Sequence, residues 1–159
     1  MEAGAFIQWN MGGLQAKREE LSLLLSQYDP TAVCIQETLL HSNKTASFKN
    51  YSYYGIPAVE NNGSLHGGVA ILVKNTTSHQ QLHINTGTKA TALRLTAHKT
   101  ITICSIYLSP STAYSITDLE ELLAQLPPCF WWTLLPTVSN WASANAVLEG
   151  RWWRTSSQI

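Results

Sequence analysis

The residues of this chain best placed to do chemistry are Glu37 and Asn10. Glu37 closes Thr31-Ala-Val-Cys-Ile-Gln-Glu-Thr38, a short β-branched and apolar run of the kind that forms a buried strand. A carboxylate where such a strand meets solvent serves as a metal ligand or general base, or stands as a strand-end charge that only faces water. Asn10 lies where Phe6-Ile-Gln-Trp9 runs out, just ahead of Gly12 and Gly13. Two glycines there permit a tight turn and a close approach of backbone to a ligand; Asn10 itself also suits a plain turn. Tyr107 sits at the end of Thr102-Ile-Cys-Ser-Ile-Tyr-Leu108. On composition alone it could equally be an interfacial core tyrosine.

The segments between these residues decide whether they meet. From Leu14 to Tyr28 the apolar positions Leu14, Leu21, Leu24, Leu25 and Tyr28 fall mainly at three- and four-residue steps, opposite Gln15, Lys17, Arg18, Glu19 and Glu20. That spacing predicts a helix, ended by Asp29-Pro30. Strand, helix and strand together span the about 30 residues of a βαβ crossover. The two strands are therefore expected to be parallel, with Asn10 and Glu37 at one carboxyl edge. Leu39 to Tyr54 reads as a polar loop tacked down by Phe48, Tyr51 and Tyr53, and Asn61-Asn-Gly-Ser64 as a turn. His66-Gly-Gly68 leads into the apolar strand Val69–Val73, where a glycine pair suggests close backbone packing or a bulge. Three antiparallel strands follow, at 81–84, 92–96 and 102–108. Thr117-Asp-Leu-Glu120 has the form of a capping box, and Leu119, Leu122, Leu123 and Leu126 make an apolar stripe that ends at Pro127-Pro128.

The totals narrow the classes. With 159 residues and 45% hydrophobic content, the chain is sized for one domain with a real core. Ten basic and ten acidic residues leave no global basic field of the kind nonspecific nucleic-acid binders carry. Cys34, Cys104 and Cys129 are odd in number and widely spaced, which fits reduced thiols in an intracellular protein better than disulfides or a zinc site. The first residues lack the basic and apolar regions of a signal peptide, and no stretch reaches transmembrane length.

Ile7-Gln-Trp-Asn10-Met-Gly-Gly13, Ile35-Gln-Glu37-Thr38, His66-Gly-Gly-Val-Ala-Ile-Leu-Val-Lys74 and Ile106-Tyr107-Leu-Ser-Pro110 resemble, in that order, the endonuclease-exonuclease-phosphatase superfamily. They look most like the endonuclease domain of jockey-type non-LTR retrotransposons. The resemblance implies an α/β fold, the DNase I-like four-layer sandwich of two sheets with helices outside, here incomplete. It also implies metal-dependent cleavage of phosphodiesters in DNA, usually with magnesium and with no small-molecule cofactor or membrane partner. Carried over, Glu37 matches the metal-binding glutamate and Asn10 the active-site asparagine beside it. Tyr107 matches the tyrosine that hydrogen-bonds the scissile phosphate. A hard cation takes oxygen ligands and neutralises charge developing on phosphate, while a phenol donates to phosphate without adding charge.

The pattern then breaks. The family expects Gly-Asp-Phe-Asn after the second helix and Ser-Asp-His near the domain's end, and neither is present. The two aspartates, Asp29 and Asp118, fit local turn and capping roles. None of His41, His66, His79, His83 and His98 falls where the family's catalytic histidine would. From Cys129 onward the chain carries five of its six tryptophans and three charged residues, Glu149, Arg151 and Arg154. Residues 1–128 are thus expected to form a partial domain and 129–159 an aberrant tail. Each Trp-Trp pair is encoded TGGTGG, so a neighbouring reading frame can return Val-Asp-Phe over Trp131–Leu134. The expectation is a truncated or frameshifted endonuclease, nuclear if functional, that retains one edge of its metal site and cleaves little. A noncatalytic nucleic-acid or protein binding module, or the translation of a decayed element, stays open beside it.

Overall fold

The strand-forming runs pair into two sheets around central runs, such as 32–36 and 69–73, that are apolar on both faces and must be covered from both sides. The computed structural model describes residues 5–96, 100–109, 115–126 and 131–134. The first sheet has the order β1 (Phe6–Asn10), β2 (Ala32–Gln36), β6 (Val69–Lys74), β3 (Tyr51–Ile56). The second has the order β10 (Trp131–Leu134), β9 (Thr100–Tyr107), β8 (Lys89–Thr96), β7 (Ser78–Leu82). Each sheet holds one parallel pair, β1 with β2 and β9 with β10, and otherwise antiparallel neighbours. A small hairpin, β4 (Val59–Asn61) and β5 (Ser64–His66), stands apart from both.

Four layers result. The helix α1 (Arg18–Tyr28) covers the outer face of the first sheet, with Leu21 and Leu25 packed among Val33, Ile35, Ala70 and Leu72. Between the sheets lie Ala32, Cys34, Ile71, Val73, Leu93, Leu95 and Ile103. The helix α2 (Ile116–Ala124) covers the second sheet, its Leu122 meeting Ala92, Cys104 and Ile106. This is the expected α/β sandwich of two sheets with helices outside; among the described residues it has two helices, consistent with an incomplete form of the fold. Among the described residues no helix is long and apolar enough to cross a membrane.

The expected order of elements is found, with several differences. The strand expected at 81–84 forms earlier, as β7 at 78–82, where its register with β8 runs from Ser78↔Thr96 to Leu82↔Ala92. The helix begins at Arg18 rather than Leu14, because Leu14 is held in the preceding turn by its N–H to the Thr38 carbonyl, 2.9 Å. Residues 51–54, read as the end of a loop, open β3; its alternation puts Tyr51 and Tyr53 toward α1 and Tyr54 toward the second sheet. The capping box sits two residues earlier than the pattern suggested. Ser115 is the N-cap, its Oγ accepting from the Asp118 N–H at 3.1 Å while Asp118 Oδ2 accepts from the Ser115 N–H at 3.0 Å. Asn62 and Gly63, both at positive φ, make the two-residue turn of the β4–β5 hairpin. Cys34 and Cys104 are free and buried, and Cys129 lies outside the described residues.

Candidate active-site edge

Parallel pairing sets Asn10 opposite Gln36, so both strands deliver their carboxyl ends to one edge and Glu37 is the first residue past it. Antiparallel pairing brings the start of β6, Val69, to the same Gln36. The chain from Gln36 to Leu39 is then held on both flanks. On one side the Met11 N–H donates to the Gln36 carbonyl, Gly13 to Glu37 and Leu14 to Thr38, at 3.1, 2.8 and 2.9 Å. On the other, the Thr38 and Leu39 N–H groups donate to the Gly68 and Gly67 carbonyls, at 3.2 and 3.1 Å.

That double grip fixes an unfavourable backbone. Glu37 has φ +54° and Leu39 φ +50°, in the left-handed region that costs an L-residue roughly 1–2 kcal/mol. Such a conformation persists where the surroundings over-determine it, and it clusters at functional sites. Glu37 is half-buried beside an exposed Asn10.

Tyr107 reaches the same edge from the second sheet. A Cβ on Gly67 would lie 2.7 Å from its ring, and one on Gly68 would lie 2.3 Å from Thr38 Oγ1. The glycine pair therefore does more than relax the backbone at φ +74° and +84°: it lets the tyrosine ring and the Glu37 loop pack on one strand entrance. Asn10, Glu37 and Tyr107 thus share an edge. Two further residues there were not singled out from the sequence. Lys89 is the register partner of Tyr107, and Gln36, fully buried, donates through Nε2 to Ser105 Oγ at 3.0 Å across the gap between the sheets. The signal for Gln36 was a lone amide inside an apolar strand.

Several other titratable groups lie away from this edge. Burial pushes the Cys34 thiol up, reinforced by Cys104, and pushes Cys104 up to about 12, so neither offers a thiolate at neutral pH. Asp29 sits at the opposite edge, bonded to Lys74. Hydrogen bonds from the Ser115 N–H and side chain hold the Asp118 carboxyl below its ordinary range, as a capping role requires. His79, on β7 opposite Leu95, is remote from Tyr107 and bonds Tyr54. Among the described residues no three His, Cys, Asp or Glu side chains gather to hold a metal.

Two face-to-face sheets flanked by helices, with polar strand ends collected at one edge, define a DNase I-like α/β protein. The chain belongs to the Endonuclease/Exonuclease/phosphatase family, whose model matches residues 7–154 and so runs through the tryptophan-rich segment. No curated protein matches. Among solved structures, it is similar to the endonuclease domain of TRAS1, a telomere-specific non-LTR retrotransposon, at 19% identity and a TM-score of 0.54. That match covers 75% of this chain and 50% of the other. It is also similar to the 3' phosphatase NExo from Neisseria bound to product DNA hairpin, at 16% identity and a TM-score of 0.52, covering 65% and 41%. The chain thus spans half or less of the length of either structure.

Proposed function

We propose that the chain is the endonuclease-type domain of a jockey-type non-LTR retrotransposon, carrying the metal- and phosphate-binding edge without the half that activates the nucleophile. The observation that carries this is the edge itself: Asn10, Glu37 and Tyr107 arrive from three strands of two sheets, with Glu37 held left-handed by flanking hydrogen bonds. The TRAS1 retrotransposon endonuclease domain and the NExo phosphatase bound to a DNA hairpin, to which the chain is similar, support DNA as the substrate class.

One carboxylate and one amide oxygen suit magnesium, which keeps several waters and takes few protein ligands alongside phosphate oxygens. Glu37 and Asn10 would hold the ion, and when bound it neutralises charge on a phosphoryl oxygen. Tyr107, half-buried against Gly67, presents a phenol that can donate to a phosphate oxygen. Hydrolysis also needs a base within hydrogen-bond reach of the attacking water. Past the end of β10 the sequence continues Leu135-Pro136-Thr137, with no carboxylate, and both aspartates are engaged elsewhere.

The expected phenotype is metal and DNA binding with little or no cleavage. Conversion of supercoiled plasmid to relaxed circle in magnesium measures this. Nicking that rises well above background and disappears in Glu37→Ala would overturn the inactivity and keep the site; salt-sensitive DNA binding indifferent to Glu37→Ala would overturn the site.

A further inference from the structure

We infer that Gln36 and Ser105 form a positioning latch between the two sheets, setting how far Tyr107 stands from Asn10 and Glu37. This rests on the site proposed above only for the purpose of the latch; the latch itself is read from the hydrogen bonds.

Most of the layer between the sheets is apolar, and apolar contact is non-directional, so by itself it fixes no register between two flat surfaces. Toward the Tyr107 end the layer turns polar. Gln8 Nε2 donates to Gln36 Oε1 at 3.1 Å, Gln36 Nε2 donates to Ser105 Oγ at 3.0 Å, and Ser105 Oγ donates to the Ile35 carbonyl at 3.0 Å. The donors all run one way, so flipping the Gln36 amide would set donor against donor at Gln8 and acceptor against the Ser105 oxygen. Gln36 and Ser105 are both fully buried. Leaving one without the other would strand a buried polar group, which is costly.

Placement gives the bond its role. Gln36 pairs with Asn10 and precedes Glu37, while Ser105 lies two residues before Tyr107 on the same face of β9. Ser105 also grips the Ile35 carbonyl, inside the strand that carries Glu37. The latch therefore sits one step beneath all three site residues and joins the two strands that bring Glu37 and Tyr107. If only stability were at stake, an apolar pair would serve, since replacing both partners of a buried hydrogen bond by apolar groups of like shape is nearly neutral.

That contrast supplies the test. In the full chain, the double variant Gln36→Leu with Ser105→Ala is expected to melt near the parent. Mn2+ is the probe, read by the NMR line broadening it causes. In the parent it should broaden both Asn10 and the Tyr107 ring; in the double variant Asn10 stays broadened while the broadening of Tyr107 weakens relative to it. Unchanged broadening of Tyr107 in a folded double variant overturns the latch. If Mn2+ broadens neither residue in the parent, the metal reading fails instead. The latch is then decided by hydrogen exchange in Ser105→Ala, which also serves should the double variant not fold. The Thr38 and Leu39 amides should exchange about tenfold faster, the factor for one lost hydrogen bond of about 1.4 kcal/mol, and Ser105→Thr should restore the parent rate. Parent rates in Ser105→Ala would overturn the latch.

Discussion

The two halves of this molecule share a plan and differ in what stands at its end. In the first sheet β1, α1 and β2 make a parallel crossover flanked by antiparallel strands; in the second, β9, α2 and β10 repeat it. The first crossover ends in Glu37, bent into the left-handed region and gripped from two sides. The second ends at Leu134, level with Ser105, and continues into Leu135-Pro136-Thr137. Their helices differ in the reverse sense. α1 has Lys17 at its N-cap position with no side-chain cap bond, while α2 has a complete capping box. Topology is thus duplicated, while a carboxylate gripped in the left-handed region stands at the end of the first crossover.

The largest test of that comparison is whether both crossovers are equally part of the fold. Leu21 and Leu122 are fully buried, one under each helix. Leu21→Ala and Leu122→Ala should each lower unfolding free energy by about 3 kcal/mol, the range for a leucine removed from a packed core. Chemical denaturation measures both. A loss well under 1 kcal/mol for Leu122→Ala alone would mean that the second crossover is only loosely docked, and the parity of the two halves would fail.

Next in size is the support that only the Glu37 side possesses. Gly68→Ala adds a Cβ 2.3 Å from Thr38 Oγ1 at φ +84°, combining left-handed strain with overpacking, for a loss of about 2 kcal/mol. Gly12→Ala, also at positive φ but with nothing within 4 Å, should lose only the strain, about 1 kcal/mol. Equal melting of the two variants would break the argument that Gly68 is required by close packing.

The capping difference comes third. Ser115→Ala should cost about 1 kcal/mol, whereas changing Lys17 to alanine removes no cap and only its contact over the Trp9 ring. The Asp118 carboxyl is held below its ordinary range in the folded chain. Its contribution is therefore present above about pH 4 and fades as pH falls through the lower folded value. Ser115→Ala should weaken that acid dependence, which melts at pH 3 and pH 6 would reveal.

The same comparison explains what could be read from the sequence. The first crossover was legible because its parts are local: a helical stripe, Asp29-Pro30, and two strands whose parallel pairing follows from connection length. Asn10 and Glu37 were brought together by that topology, and Tyr107 by the order of motifs. β3 was missed because Tyr51-Ser-Tyr-Tyr-Gly-Ile56 mixes polar groups and a glycine into its alternation, and only the packing of Tyr51 and Tyr53 against the α1 side defines it. Ser115 was passed over because Thr117 offered a hydroxyl at similar spacing to Glu120. Gln36 was the hardest. Its partner is Ser105, 69 residues away on another sheet, and no local pattern signals a bond between sheets.

The smallest effect bears most directly on why the two crossover ends differ. If the left-handed backbone at Glu37 is retained for its carboxylate, stability should improve when a residue better suited to that region replaces it. Asparagine tolerates φ +54° more readily than glutamate, because its short side chain hydrogen-bonds locally. Glu37→Asn keeps the flanking backbone bonds, which involve Gly13, Gly67 and Gly68 rather than the side chain. It should therefore raise unfolding free energy by about 0.5–1 kcal/mol while abolishing the Mn2+ broadening at Asn10. A variant that is less stable than the parent would show that the glutamate side chain is structural, and the asymmetry between the two crossover ends would then reflect packing instead of a site.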